Sequence, residues 1–152
     1  MPIILFANEN LTIQYEGTDD YLLLNWSGST TGESFRDLTK QVIIAIDKTR
    51  TARILSDNTN WHALSPNDHG WASQHWFPWA EEKGVQMLAT VLSQDFFSRE
   101  AERAIEGMAE TRCMQIKNFK SIAEAQSWLT DRKNVQDCEE PPETRHTVAI
   151  HP

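Results

Sequence analysis

Asp57, His62, Asp68, His69 and His75 bring carboxylates and imidazoles, the residue types that bind zinc, into one short stretch of the chain. Zinc sites built on helices use histidines at i, i+4 or ligands grouped at short loop spacing. His69 and His75 stand six residues apart, which leaves them about 120° out of alignment on an ideal helix. The spacing favours histidines that hydrogen-bond beside their neighbours, so no metal and no other cofactor is expected. Nucleophilic hydrolysis is the second chemistry these residues could serve, with Ser56, Ser65 or Cys113 as nucleophile and His62 or His69 as base. No G-x-S-x-G elbow or comparable context surrounds any of them. No catalytic residue is assigned, a non-enzyme is expected, and a hydrolase stands only as a distant third reading.

Other chemistry-bearing groupings read as ordinary surface. The pairs Glu81-Glu82 and Glu139-Glu140 lie in polar stretches and read as solvated faces. Gly28 and Gly32 are isolated, which suits a turn and a helix start rather than a phosphate-cradling loop. What remains is aromatic. Four of the six tryptophans (Trp61, Trp71, Trp76, Trp79), three of the five histidines and Phe77 fall between Asp57 and Glu82. Large amphipathic rings bury much area at low entropic cost, so such a cluster is core, subunit interface or cleft wall.

The elements around that cluster are legible from periodicity. Leu11 to Glu16 alternates with period two, Tyr21 to Trp26 answers it, and Gly17-Thr18-Asp19-Asp20 supplies the turn of a hairpin. Ile3 to Phe6 adds a short edge strand. Thr30 and Glu33 stand at capping-box spacing before a helix that runs to about Lys48, with Phe35, Leu38, Val42 and Ala45/Ile46 on one face. Ala52 to Asp57 is a central buried strand, and Asp57 and Asn60 follow at its carboxyl end, where open α/β sheets place ligands. Ser65, Pro66 and Asp68 open the next helix as N-cap, first residue and third residue. Trp71, Ala72, His75, Trp76, Trp79 and Ala80 fall on its broad face, although Pro78 should kink or end it near Phe77. Val85 to Leu92 is a strand, Phe96 to Ala109 a helix and Arg112 to Lys117 a strand. Ser121 caps a last helix that turns Ile122, Ala125, Trp128 and Leu129 inward.

Alternation of this kind implies an α/β sandwich, with a mainly parallel sheet, an N-terminal antiparallel hairpin and about four helices. At 152 residues and 39% hydrophobic content, one domain is expected over residues 1–132. Residues 133–152 form a polar tail or docking arm. A net charge of −8 without a Lys/Arg run argues against nucleic acid. The longest apolar runs are far too short for a membrane span, and the N-terminus lacks signal-peptide features. With Cys113 and Cys138 far apart in sequence, a thiol-keeping compartment and a cytoplasmic location are expected.

The strand ARILSD, the loop NTNWHAL, the helix start SPNDHGW, the strand VQMLATVL and the ending FKSIAEAQSWL together resemble the SpoIIAA-like group of STAS/SEC14-type domains. The resemblance covers Asn10 to Leu129 and is most specific from Phe119 to Leu129. It implies a small bacterial α/β domain, of a kind often without an assigned activity, and a regulatory or signalling role through association. Sporulation anti-sigma factor antagonists in that group carry a phosphorylatable serine at a comparable helix start, in an Asp-Ser-Ser-Gly context. Here the matching segment is Leu64-Ser65-Pro66-Asn67, with neither the Asp nor the Ser-Gly. Ser65 therefore carries over in position only and reads as an N-cap. The leading expectation is a homodimer or protein-binding domain using Asp57, Asn60, Trp61, His62, Ser65, Trp71, His75 and Trp79. The alternative is a protein for a small apolar or amphipathic ligand, with a cleft lined by Trp and His.

Overall fold

The fold is taken from a computed structural model that describes residues 2–30, 32–61, 66–93 and 113–131. The expected Phe96–Ala109 helix, the tail beyond 132, and His62 and Ser65 lie outside the described residues. Six strands form one sheet in sequence order: β1 (Pro2–Ala7), β2 (Leu11–Glu16), β3 (Tyr21–Gly28), β4 (Arg53–Trp61), β5 (Met87–Val91) and β6 (Gln115–Phe119). The first three pair antiparallel and the last four parallel. The mixed, mainly parallel sheet with an antiparallel opening is thus present.

Period-two alternation decides which side chains meet which layer. Leu22, Leu24 and Trp26 of β3 share a face with Leu11 and Ile13 of β2, and this face packs against α1 (Gly32–Thr49) through Phe35, Leu38, Val42 and Ile46. The helical segment after β4 lies on the same side and adds Ala72, Trp76 and Ala80. On the opposite face Tyr21, Leu55, Met87, Ala89, Val91 and Phe119 meet Ala125 and Leu129 of the last helix, α4 (Ile122–Thr130). Both faces of the parallel part are therefore covered, as buried parallel strands require. Ser121 caps α4 as expected, accepting from the Glu124 N–H at 3.2 Å. Ile122 does not turn inward. It is 40% exposed, because the buried stripe of so short a helix runs through Ala125 and Leu129 alone.

The entry to α1 departs from the expected capping box. Thr30 is buried, but its hydroxyl makes no hydrogen bond. The Gly32 N–H at the helix start instead donates to both carboxylate oxygens of Asp68, at 3.2 and 3.3 Å. Asp68 belongs to α2 (Pro66–Trp71) and is only 2% exposed. A carboxylate at a helix N-terminus satisfies an orphan donor and complements the dipole, so one side chain ties two helices together. Glu81 is also more than a solvated charge: its Oε2 accepts from the backbone N–H groups of Cys113 and Met114, both at 2.6 Å, at the entry to β6.

Two consequences are measurable. Replacing Asp68→Ala removes the carboxylate from the start of α1 and should lower stability by about 1 kcal/mol, read as a lower urea midpoint with an unchanged slope; an unchanged midpoint would show that the cap contributes nothing. Burial pushes the Tyr21 phenol above its ordinary 10.0, against the hydrogen bond from Gln126 Nε2 at 3.0 Å. The folded chain thus holds that proton more tightly than the unfolded chain. Stability from this source is intact below pH 10.0 and is lost as pH rises through the folded value. Tyr21→Phe should flatten the alkaline fall in melting temperature, and an equally steep fall in the variant would contradict the assignment.

Candidate functional site

The segment from Pro66 to Glu82 does not end at Phe77. It runs as α2, a π-helical turn over Ala72–Trp76, and α3 (Phe77–Glu82). Pro78 explains the π turn. A proline ring clashes with the carbonyl four residues back and offers no N–H to it. Widening the preceding turn, with the Phe77 N–H bonded to the Ala72 carbonyl, lets the chain stay helical through the proline. Trp76 and Ala72 then point into the core, while Trp71, His75 and Trp79, spaced four apart, keep to one outer stripe.

That stripe forms an open groove of about 440 Å³ lined by Trp71, Gln74, His75, Pro78, Trp79 and Glu82. Trp71, Pro78 and Trp79 are half-buried, and Gln74, His75 and Glu82 are exposed. Charge flanks the rings on both sides. The Arg36 guanidinium of α1 sits 5.2 Å from the Trp71 ring centre, within cation–π range, and Glu82 closes the other end.

Behind the groove the rings continue into the core without a break. Trp71 meets His75 at 5.7 Å and stands edge-on to Phe35 at 5.9 Å; Phe35 meets Trp61 at 5.7 Å; Trp61 lies nearly flat on Trp26 at 4.3 Å and 15°. The Trp26 indole N–H donates to Ser56 Oγ at 3.1 Å, and Ser56 in turn donates to Asn58 Oδ1 at 2.8 Å. Ser56 is thereby a buried link in a structural network, with no base among these partners.

Of the sequence-derived candidates, Trp71, His75 and Trp79 come together in the groove. Trp61 stands one ring behind it, through Phe35. Asp57 does not join them. It shares the strand face of Leu55, toward α4, and its Oδ1 accepts from the backbone and the hydroxyl of Thr59, at 3.1 and 2.7 Å. A carboxylate so engaged shapes the end of β4. Asn60 is exposed beside a register shift, where β4 carries one residue more than β3 between the Asn25–Asp57 and Ser27–Asn60 pairs. Cys113 is not a free thiol but disulfide-bonded, which removes it as a nucleophile and removes the support it lent to a thiol-keeping compartment. Among the described residues no group of three or more His, Cys, Asp or Glu side chains could hold a metal, and no helix is long and apolar enough to cross a membrane.

Sequence reasoning missed the residues that neighbouring elements contribute. Arg36 carried no motif and Glu82 read only as half of a solvated pair; their places beside the rings became visible when α1 and α3 were placed. Phe35 was legible on the packed face of its helix and Trp26 as the end of a strand, yet nothing in their spacing said that they would meet Trp61.

No protein-family profile matches the chain, and no curated protein matches it. Among solved structures it is similar to an uncharacterised protein of the DUF3478 family with a SpoIIAA-like fold from Shewanella loihica PV-4. The two share 20% identity with a TM-score of 0.53, over 82% of this chain and 98% of the other. A six-stranded sheet with an antiparallel opening and helices on both faces, matched across nearly the whole of that structure, gives this chain the SpoIIAA-like fold.

Proposed function

We propose that this SpoIIAA-like domain is not an enzyme and works by association, pairing with a second copy of itself through the groove of Trp71, His75 and Trp79. The observation that carries the reading is the exposed aromatic stripe: two half-buried tryptophans flank a half-buried proline on an outer helix face. Rings of this kind concentrate at the centres of protein interfaces and supply most of their energy. The groove is open, which suits a flat partner surface better than a small molecule, whose sites bury most of the ligand. A two-fold contact must be self-complementary, and this patch carries both signs, Arg36 beside Trp71 and Glu82 beside Trp79. An antiparallel second copy sets each Glu82 near the partner's Arg36, which steers the encounter and fixes its register.

A regulatory role is the natural output of such pairing, since association is then what a cell could switch. The cytoplasmic placement expected from the sequence fits that role, although the Cys113 disulfide no longer argues for it.

Size-exclusion chromatography with light scattering tests the proposal. The chain should elute at twice its 17.5 kDa mass. Trp79→Ala should weaken the dimer about 30-fold, the equivalent of the ~2 kcal/mol typical of a central aromatic. Glu82→Arg should weaken it too, and adding Arg36→Glu should restore it. A strict monomer up to high micromolar concentration, or a dimer indifferent to all three substitutions, would overturn the reading.

A further inference from the structure

Histidine is the side chain that ordinarily changes charge between about pH 5 and 8, and His75 lines the aromatic groove. It is exposed, follows Trp71 by four residues and precedes Trp79 by four, and its ring lies 5.7 Å from the Trp71 ring. It therefore marks the middle of the stripe. In an antiparallel pair of copies, a two-fold axis carries the Arg36–Trp71 end of one stripe onto the Trp79–Glu82 end of the other. Such an axis passes through the middle. Residues at the ends meet different residues, whereas a residue at the middle meets itself, so His75 faces the partner's His75.

The charged groups around the imidazole set the sign of a pH effect. From α1 comes Arg36, 5.2 Å from the Trp71 ring centre, with Glu33 one turn before it and the Asp37–Lys40 pair after it. From α2 comes Asp68, engaged at the start of α1. From α3 comes Glu82, which lines the groove, while Glu81 accepts from the backbone of Cys113 and Met114 and Lys83 pairs with Asp47. In a free chain Glu82 shares the groove with His75 and favours an imidazolium. Pairing changes three things: Glu82 is matched by the partner's Arg36, the imidazole loses water, and a second imidazole lies opposite. Each of them disfavours the charged form.

We infer that His75 makes the association pH-dependent: neutral imidazoles let the two stripes meet, and protonation sets like charges against each other across the two-fold axis and separates the copies. The inference rests on the association reading and adds its regulation. Because the pair holds fewer protons than two free chains, pairing is complete above the imidazole range and is lost as pH falls through it.

The test is light scattering of the full chain over a dilution series, at constant ionic strength, at about pH 7.5 and about pH 5.5. The dimer dissociation constant should rise about tenfold or more from the higher pH to the lower. In His75→Gln that ratio should stay within about twofold, and His75→Lys, with its fixed charge, should pair weakly at both values. The chain has five histidines, so a ratio in His75→Gln equal to that of the wild type would assign the effect elsewhere and overturn the inference. Tight pairing by His75→Lys would overturn it too, as would a His75→Gln that fails to pair at either pH, which shows a contact role and no charge switch. A wild-type dimer equally strong at both pH values would overturn the inference and leave the association reading standing. A strict monomer at both would overturn the two together.

Discussion

Trp26 lies flat against Trp61 at 4.3 Å, and the arrangement at the carboxyl end of the sheet depends on that contact. The two residues lie toward the carboxyl ends of adjacent parallel strands, Trp26 two residues before the end of β3 and Trp61 at the end of β4, on the face that α1 covers. Offset ring pairs contribute beyond the area they bury, and this one gives Phe35 a surface to pack on. Phe35 fixes the first turns of α1, Trp71 stands edge-on to Phe35, and the whole Pro66–Glu82 segment is set by where Trp71 must go. The face that meets solvent is thus the last link of a chain of rings that begins in the core.

Two local devices let that chain reach the surface. Asp68 supplies the donor-satisfying carboxylate that the start of α1 lacks, and in doing so holds α2 against it. The π turn carries the helix through Pro78, so that Trp76 is buried while Trp79 stays at the surface. Each device satisfies a backbone requirement and positions a tryptophan as a by-product. That coupling explains why a segment with a proline in its middle and a glycine near its start remains helical: its packed face outweighs its poor propensity.

Much of this was legible in the residues themselves. Strict alternation from Leu11 and the 3.6-residue recurrence from Phe35 to Ile46 are direct consequences of one-sided burial, so β2, β3 and α1 could be placed within a few residues. β4 runs on past Asp57 to Trp61 because Trp61 has a ring to stack on, and no propensity encodes that. The Thr30–Glu33 spacing suggested a capping box, but spacing could not show that Asp68, 36 residues from Gly32, supplies an acceptor at the start of α1. Glu81 and Arg36 likewise depend on partners distant in sequence. Of the candidate site, the stripe of Trp71, His75 and Trp79 was visible as periodicity. Its link to Trp61 through Phe35 was not, since that contact joins elements from two separate stretches.

Hydrogen–deuterium exchange as a function of protein concentration addresses the central claim, that the ring chain ends in an associating face. Backbone amides over Trp71–Glu82 should exchange more slowly as concentration rises, with β1, the uncharged edge strand carrying exposed Ile3 and Ile4, unaffected. Exchange over Trp71–Glu82 that does not change with concentration, or protection that develops along Pro2–Ala7 instead, would contradict the account.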